Sequence, residues 1–100
     1  MTDKDNAYLS EPMFYTLMAL YSGEKCGTEI ADFIRKKTCD RIKMGPGTLY
    51  TLLGNFLARR WIAELRSQGR KRIYGITQEG YRVYRAEIQR LKTCLRDAGE

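Results

Sequence analysis

Residues 45–77 read GPGTLYTLLGNFLARRWIAELRSQGRKRIYGIT, and this stretch decides the fold. Gly45-Pro46-Gly47 announces a helix, because proline at a first helical position gives up an N–H that has no partner there. Leu49, Leu52, Leu53 and Phe56 then fall at i, i+3, i+4 and i+7, the buried stripe of a helix running to about Arg59. Beyond it, Trp61–Arg66 and Arg70–Thr77 read as two strands around Ser67-Gln68-Gly69, a hairpin loop with its glycine.

Upstream, Ser10 is placed to cap a helix over about Ser10–Ser22, with Glu11 and Pro12 in its first turn. Met13, Phe14, Leu17, Met18, Leu20 and Tyr21 are spread around most of that helix, which predicts cover on more than one side. Gly23 ends it. A second helix opens near Gly27-Thr28, carries Ile30, Phe33 and Ile34 inward, and closes on Arg35-Lys36-Lys37, where the helix dipole favours cations. Asp40–Met44 reads as a short extended stretch. Downstream, Thr77 caps a last helix whose Tyr81, Tyr84, Ile88, Leu91 and Leu95 keep 3-4-3-4 spacing.

The expected order is thus helix, helix, short strand, helix, hairpin, helix: a mostly α chain with a small β-hairpin. Residues 9–77 form a winged helix-turn-helix, and residues 78–98 a C-terminal dimerisation helix packed on it within one structural domain.

The chain has 100 residues and a net charge of +6, and its distribution says more than its total. Residues 1–34 carry −4, residues 35–72 carry +9 and residues 73–100 carry +1. A solvated face mixes signs, so the basic middle reads as a surface for a polyanion. With no His, no C-x-x-C pair, no G-x-S-x-G and no phosphate loop, the chain is expected to be no enzyme and to hold neither metal nor cofactor. Cys26, Cys39 and Cys94 read as reduced thiols, a redox role being the alternative. The polar, acidic start, MTDKDNAYLS, is unlike a signal peptide, and no apolar run is long enough to span a bilayer; a soluble, cytoplasmic protein is expected.

Candidate contact residues follow from these elements. On the third helix, the face opposite the buried stripe centres on Gly47, Thr51, Gly54 and Ala58, flanked by Thr48, Asn55 and Arg59 on one side and Tyr50 on the other. Thr48, Tyr50, Thr51 and Asn55 are therefore candidates for DNA contact, Asn being suited to a bidentate bond with adenine. An ordinary exposed helix face is the plainer reading of the same residues. The wing-tip run Arg70-Lys71-Arg72 is the candidate for phosphate contact, and Lys43 is a further candidate for DNA contact. Strand alternation directs Arg70 and Arg72 together and Lys71 away. A helical seam with no second domain to cover it predicts self-association, with Leu17, Tyr84, Ile88, Leu91 and Leu95 as the dimer interface; packing within one chain is the alternative.

Several runs resemble the PadR family of bacterial transcriptional regulators. They are Leu9-Ser10-Glu11-Pro12, Gly27, Gly47-Thr48-Leu49-Tyr50, and Gly69-Arg70-Lys71-Arg72-Ile73-Tyr74-Gly75-Ile76-Thr77-Gln78-Glu79-Gly80. The resemblance spans about residues 9–95 and is to the short form, in which the last helix alone serves dimerisation. It implies a homodimeric repressor on a palindromic double-stranded operator, released by a small molecule, with Tyr50 and the wing at the DNA. The chain departs from the family pattern at Gly54-Asn55, where basic residues are usual, at Arg60, where Gly is usual, and at Trp61 and Gly75. A winged-helix module that binds protein rather than DNA is the alternative function.

Overall fold

A computed structural model describes residues 9–100; the acidic start discussed above lies, up to residue 8, outside the described residues. Helix α1 (Glu11–Tyr21) starts where Ser10 Oγ accepts the Met13 N–H, and it buries Thr16, Leu17, Ala19 and Leu20. The Thr16 hydroxyl donates to the Pro12 carbonyl at 2.8 Å, so a polar residue is enclosed without an unmet bond. Strand β1 (Lys25–Cys26) leads directly into α2 (Gly27–Lys37). There the Glu29 carboxylate accepts the Cys26 N–H at 2.9 Å, a capping box with Cys26 as the cap. That bond, with the Cys26 side chain and neighbouring lysines, holds the Glu29 carboxyl below its ordinary value.

The extended stretch expected at Asp40–Met44 does not form a strand. Cys39 and Asp40 turn left-handed, with φ of 51° and 65°. The Thr38 hydroxyl meanwhile donates to the Ile34 carbonyl and accepts the Ile42 N–H, folding the chain back on the end of α2. The short strand lies earlier, at β1.

Helix α3 (Pro46–Ala58) buries Leu49, Leu53 and Phe56, with Leu52 half-buried beside them. Strands β2 (Ile62–Gln68) and β3 (Lys71–Ile76) form the hairpin, and β3 is central in an antiparallel sheet of order β1-β3-β2. Gln68 faces Lys71, so the loop is the pair Gly69-Arg70, with Gly69 at φ 63° as a glycine-first hairpin turn requires. A bulge lies between Glu64 and Arg66. The Leu65 side chain fills the space over Gly75, where a Cβ would come within 2.8 Å of it. The small residue at Gly75 and the large one at Leu65 are complementary.

Helix α4 (Gln78–Asp97) docks on the α3–β2 turn through its first residues. Thr77 Oγ1 donates to the Arg60 carbonyl at 2.7 Å and accepts the Gly80 N–H, while the Thr77 N–H reaches the Trp61 carbonyl at 3.0 Å. Arg60 occupies this turn at φ 61°, a conformation that favours glycine. The core gathers Leu17, Leu20, Ile30, Ile34, Leu53 and Phe56 between the helices, and Trp61 packs on Phe56 with ring centroids 5.2 Å apart. The architecture is a winged helix-turn-helix with an added C-terminal helix.

Candidate nucleic-acid interface

α3 presents its unburied side to solvent without cover. Thr48, Thr51, Gly54, Asn55 and Ala58 are all exposed, and a Cβ placed on Gly47 or Gly54 would meet nothing within 4 Å. Nothing inside the described residues therefore calls for glycine at Gly54, although glycine within a helix costs about 1 kcal/mol relative to alanine. Tyr50 sits at the edge of this face, 53% exposed, with its hydroxyl 3.0 Å from where a Gly27 side chain would begin. Gly27 is thus what lets the Tyr50 ring lie over the start of α2.

β1 pairs Lys25 with Tyr74 and Cys26 with Ile73, which brings the start of α2 beside the wing. Between them runs an open groove of about 310 Å³. Arg70, Lys71 and Arg72 line one side, and Cys26, Gly27 and Thr28 the other. Tyr50 and Tyr74 complete it, and burial pushes the Tyr74 phenol above its ordinary value. All three wing cations line this groove. Arg70 lies in the turn rather than in β3, so the strand alternation expected of the three relates only Lys71 and Arg72. Lys43 lies in an adjoining hollow with Asp32, Arg35 and Met44; Thr28 lines both.

The remaining charge of the basic middle is mostly paired off. Arg35 and Lys36 both bind Asp32, Arg41 binds Glu11, and Arg66 binds Glu24. Lys37 lies over the Phe33 ring and Arg59 over the Trp61 ring. Among the described residues, Arg70, Lys71 and Arg72 have no carboxylate within ion-pair distance, nor has Lys43. Among the described residues of the basic middle, the cations with neither an ion pair nor a ring contact are thus Lys43, Arg60 and the three that stand together at the wing tip. Among these residues there is also no group of His, Cys, Asp and Glu that could hold a metal ion.

Solved structures share this fold. A transcriptional regulator from Clostridium thermocellum superimposes with a TM-score of 0.75 and is 24% identical, covering 87% of this chain and 88% of its own. A PadR family transcription regulator from hypervirulent Clostridium difficile gives a TM-score of 0.79 at 18% identity, over 90% of this chain and 96% of its own. The chain has the fold of PadR family regulators. Bacillus subtilis PadR, solved in complex with operator DNA, matches 76% of this chain with 45% of its own at a TM-score of 0.67 and 19% identity. No family model and no curated protein matches the sequence.

On this PadR-like frame the residues singled out from sequence fall into separate places. Tyr50 and the wing cations meet in one groove, Lys43 lies next door, and Thr48, Thr51 and Asn55 stand exposed along α3. The contribution of α2 was missed, because it depends on β1. The sequence signal was Cys26-Gly27-Thr28 ahead of Glu29, a helix start aimed at the wing once β1 is paired. Of the five residues expected at a dimer interface, Leu17 is wholly enclosed and Tyr84 only 6% exposed, both within the chain's own core. Tyr84 packs against Phe14 and Tyr21 with centroids 5.4 and 5.2 Å apart. Ile88 is half-buried, whereas Leu91 and Leu95 are 37% and 57% exposed.

Proposed function

We propose that this chain is a sequence-specific regulator of transcription that binds double-stranded DNA as a homodimer. The observation that carries the reading is the wing tip: three cations without ion-pair partners stand beside the uncovered face of α3. In a winged helix these two surfaces address the backbone and the major groove respectively. The DNA complex of Bacillus subtilis PadR, which has the same fold, supports the same use of this frame. Thr48, Tyr50, Thr51 and Asn55 are assigned to the groove-facing helix, and Lys43, Arg70, Lys71 and Arg72 to phosphates.

The dimer rests on α4, whose Leu91 and Leu95 continue a seam that the body of the chain covers only as far as Ile88. A second copy covers the rest, and a two-fold reader suits a palindromic operator. Repression, and release by a small molecule, rest on the PadR resemblance. No helix of the described residues is long and apolar enough to cross a membrane, and the regulator acts on DNA in the cytoplasm.

Salt dependence tests the reading. Replacing Arg70, Lys71 and Arg72 by Ala lowers the slope of log affinity against log salt by about 2.7 for operator and random duplex alike. An unchanged slope removes the wing from the interface. If the unsubstituted protein itself shows no salt-dependent duplex affinity, the second reading, a module that binds protein through the small-residue face of α3, takes its place.

A further inference from the structure

The groove between wing and α2 is shaped for more than a backbone running past it. Its volume of about 310 Å³ falls in the range of small-ligand sites. Three cations converge on that one space, and like charges held together are relieved by an anion between them. Glu29 accepts the Cys26 N–H and keeps its charge near Lys71, so one carboxylate stands against three cations. A DNA strand delivers its charges singly along its length, whereas a compact anion with several charges matches three cations around one hollow. Tyr50 offers a half-exposed ring as one wall, set in place over Gly27.

We propose that this groove binds a free oligophosphate anion, the chemistry of pyrophosphate and of nucleoside di- and triphosphate tails, and that such an anion competes with DNA for the wing. The binding stands on the groove itself; the competition rests on the DNA interface proposed above.

The test is titration of the full chain with sodium pyrophosphate at fixed ionic strength, followed by amide NMR shifts and calorimetry. Saturable shifts are expected at Gly27, Thr28 and Arg72. Affinity should fall by roughly two- to thirtyfold in the Arg70→Ala, Arg72→Ala double variant, from two exposed charge contacts. The double variant Arg85→Ala, Lys92→Ala loses the same charge from exposed positions on α4 and should bind as the unsubstituted chain does. Absence of saturation, or equal loss in both double variants, overturns the proposal. A labelled duplex separates the two sources of phosphate: pyrophosphate should displace it more than sodium chloride of equal ionic strength. Duplex binding without pyrophosphate binding means that the groove takes only DNA phosphates, which overturns this proposal and leaves the DNA reading standing. Pyrophosphate binding without duplex binding does the reverse.

Discussion

Replacing Gly80 by Ala tests how α4 is fixed to the body. A Cβ there would lie 2.0 Å from the Trp61 carbonyl oxygen and 2.8 Å from its carbon. Ordinary carbon–oxygen contact is about 3.3 Å or more, so α4 must withdraw by roughly 1.3 Å. The same carbonyl accepts the Thr77 N–H at 3.0 Å, and withdrawal stretches that bond beyond useful length together with the Thr77 hydroxyl bond to Arg60. Two lost bonds at about 1 kcal/mol each, plus about 1–2 kcal/mol of overpacking, give a destabilisation of roughly 3–4 kcal/mol. That is a large part of the ~5–15 kcal/mol that holds a domain folded, and it lowers the melting temperature by roughly 12–30 °C. Urea unfolding followed by far-UV circular dichroism, at one protein concentration, reads it. Gly54→Ala serves as the internal contrast, because its Cβ meets nothing within 4 Å and should stabilise by up to about 1 kcal/mol. If Gly80→Ala unfolds within about 0.5 kcal/mol of the unsubstituted chain, close approach of α4 to Trp61 does not hold the fold.

Arg60→Gly should stabilise the chain by about 1 kcal/mol, since Arg60 occupies φ 61° at a left-handed cost that glycine escapes; a lower urea midpoint would refute this. Leu91→Glu should give a monomer in sedimentation, because Leu91 lies 37% exposed in the seam assigned to the partner copy; a variant that stays dimeric removes α4 from the interface. Burial raises the Tyr74 and Tyr84 phenols above their ordinary value of 10.0. Their contribution is therefore whole below that pH and is lost as pH rises through the raised values. The urea midpoint should fall as pH rises above about 10, and fall less in the Tyr74→Phe, Tyr84→Phe double variant; equal falls would show that other groups govern it.

The parts of the fold legible in sequence are those whose signal is local. The stripe of Leu49, Leu53 and Phe56 marks α3, Gly69 marks the hairpin, and Thr77 marks the start of α4, each within a few residues. β1 was not legible, because two residues carry no periodicity and Lys25 becomes a strand only through Tyr74, far along the chain. Asp40–Met44 misled because a side chain, Thr38, redirects the backbone. The loop falls at Gly69-Arg70 rather than at Ser67-Gln68-Gly69, which takes Arg70 out of the strand and leaves Lys71 and Arg72 as its first two residues. The site shows the same division: its cations and Tyr50 were legible as residue types, but the groove that unites them exists only because β1 carries α2 to the wing.

The departures from the PadR pattern now have distinct physical standing. Gly75 is matched by Leu65, which occupies the space of the missing side chain, and Arg60 is tolerated because its backbone carbonyl, not its side chain, receives Thr77. Among the described residues, nothing lies within 4 Å of where a Gly54 Cβ would sit, and Asn55 beside it is exposed. A helix face without long side chains lets its backbone approach a groove closely, while contributing no charge to the approach. On the proposed function, the wing cations meet phosphates whatever the base sequence and α3 meets the bases. Affinity for a duplex and choice among duplexes would then reside on different elements, so that substitution in the wing should change the first and substitution in α3 the second.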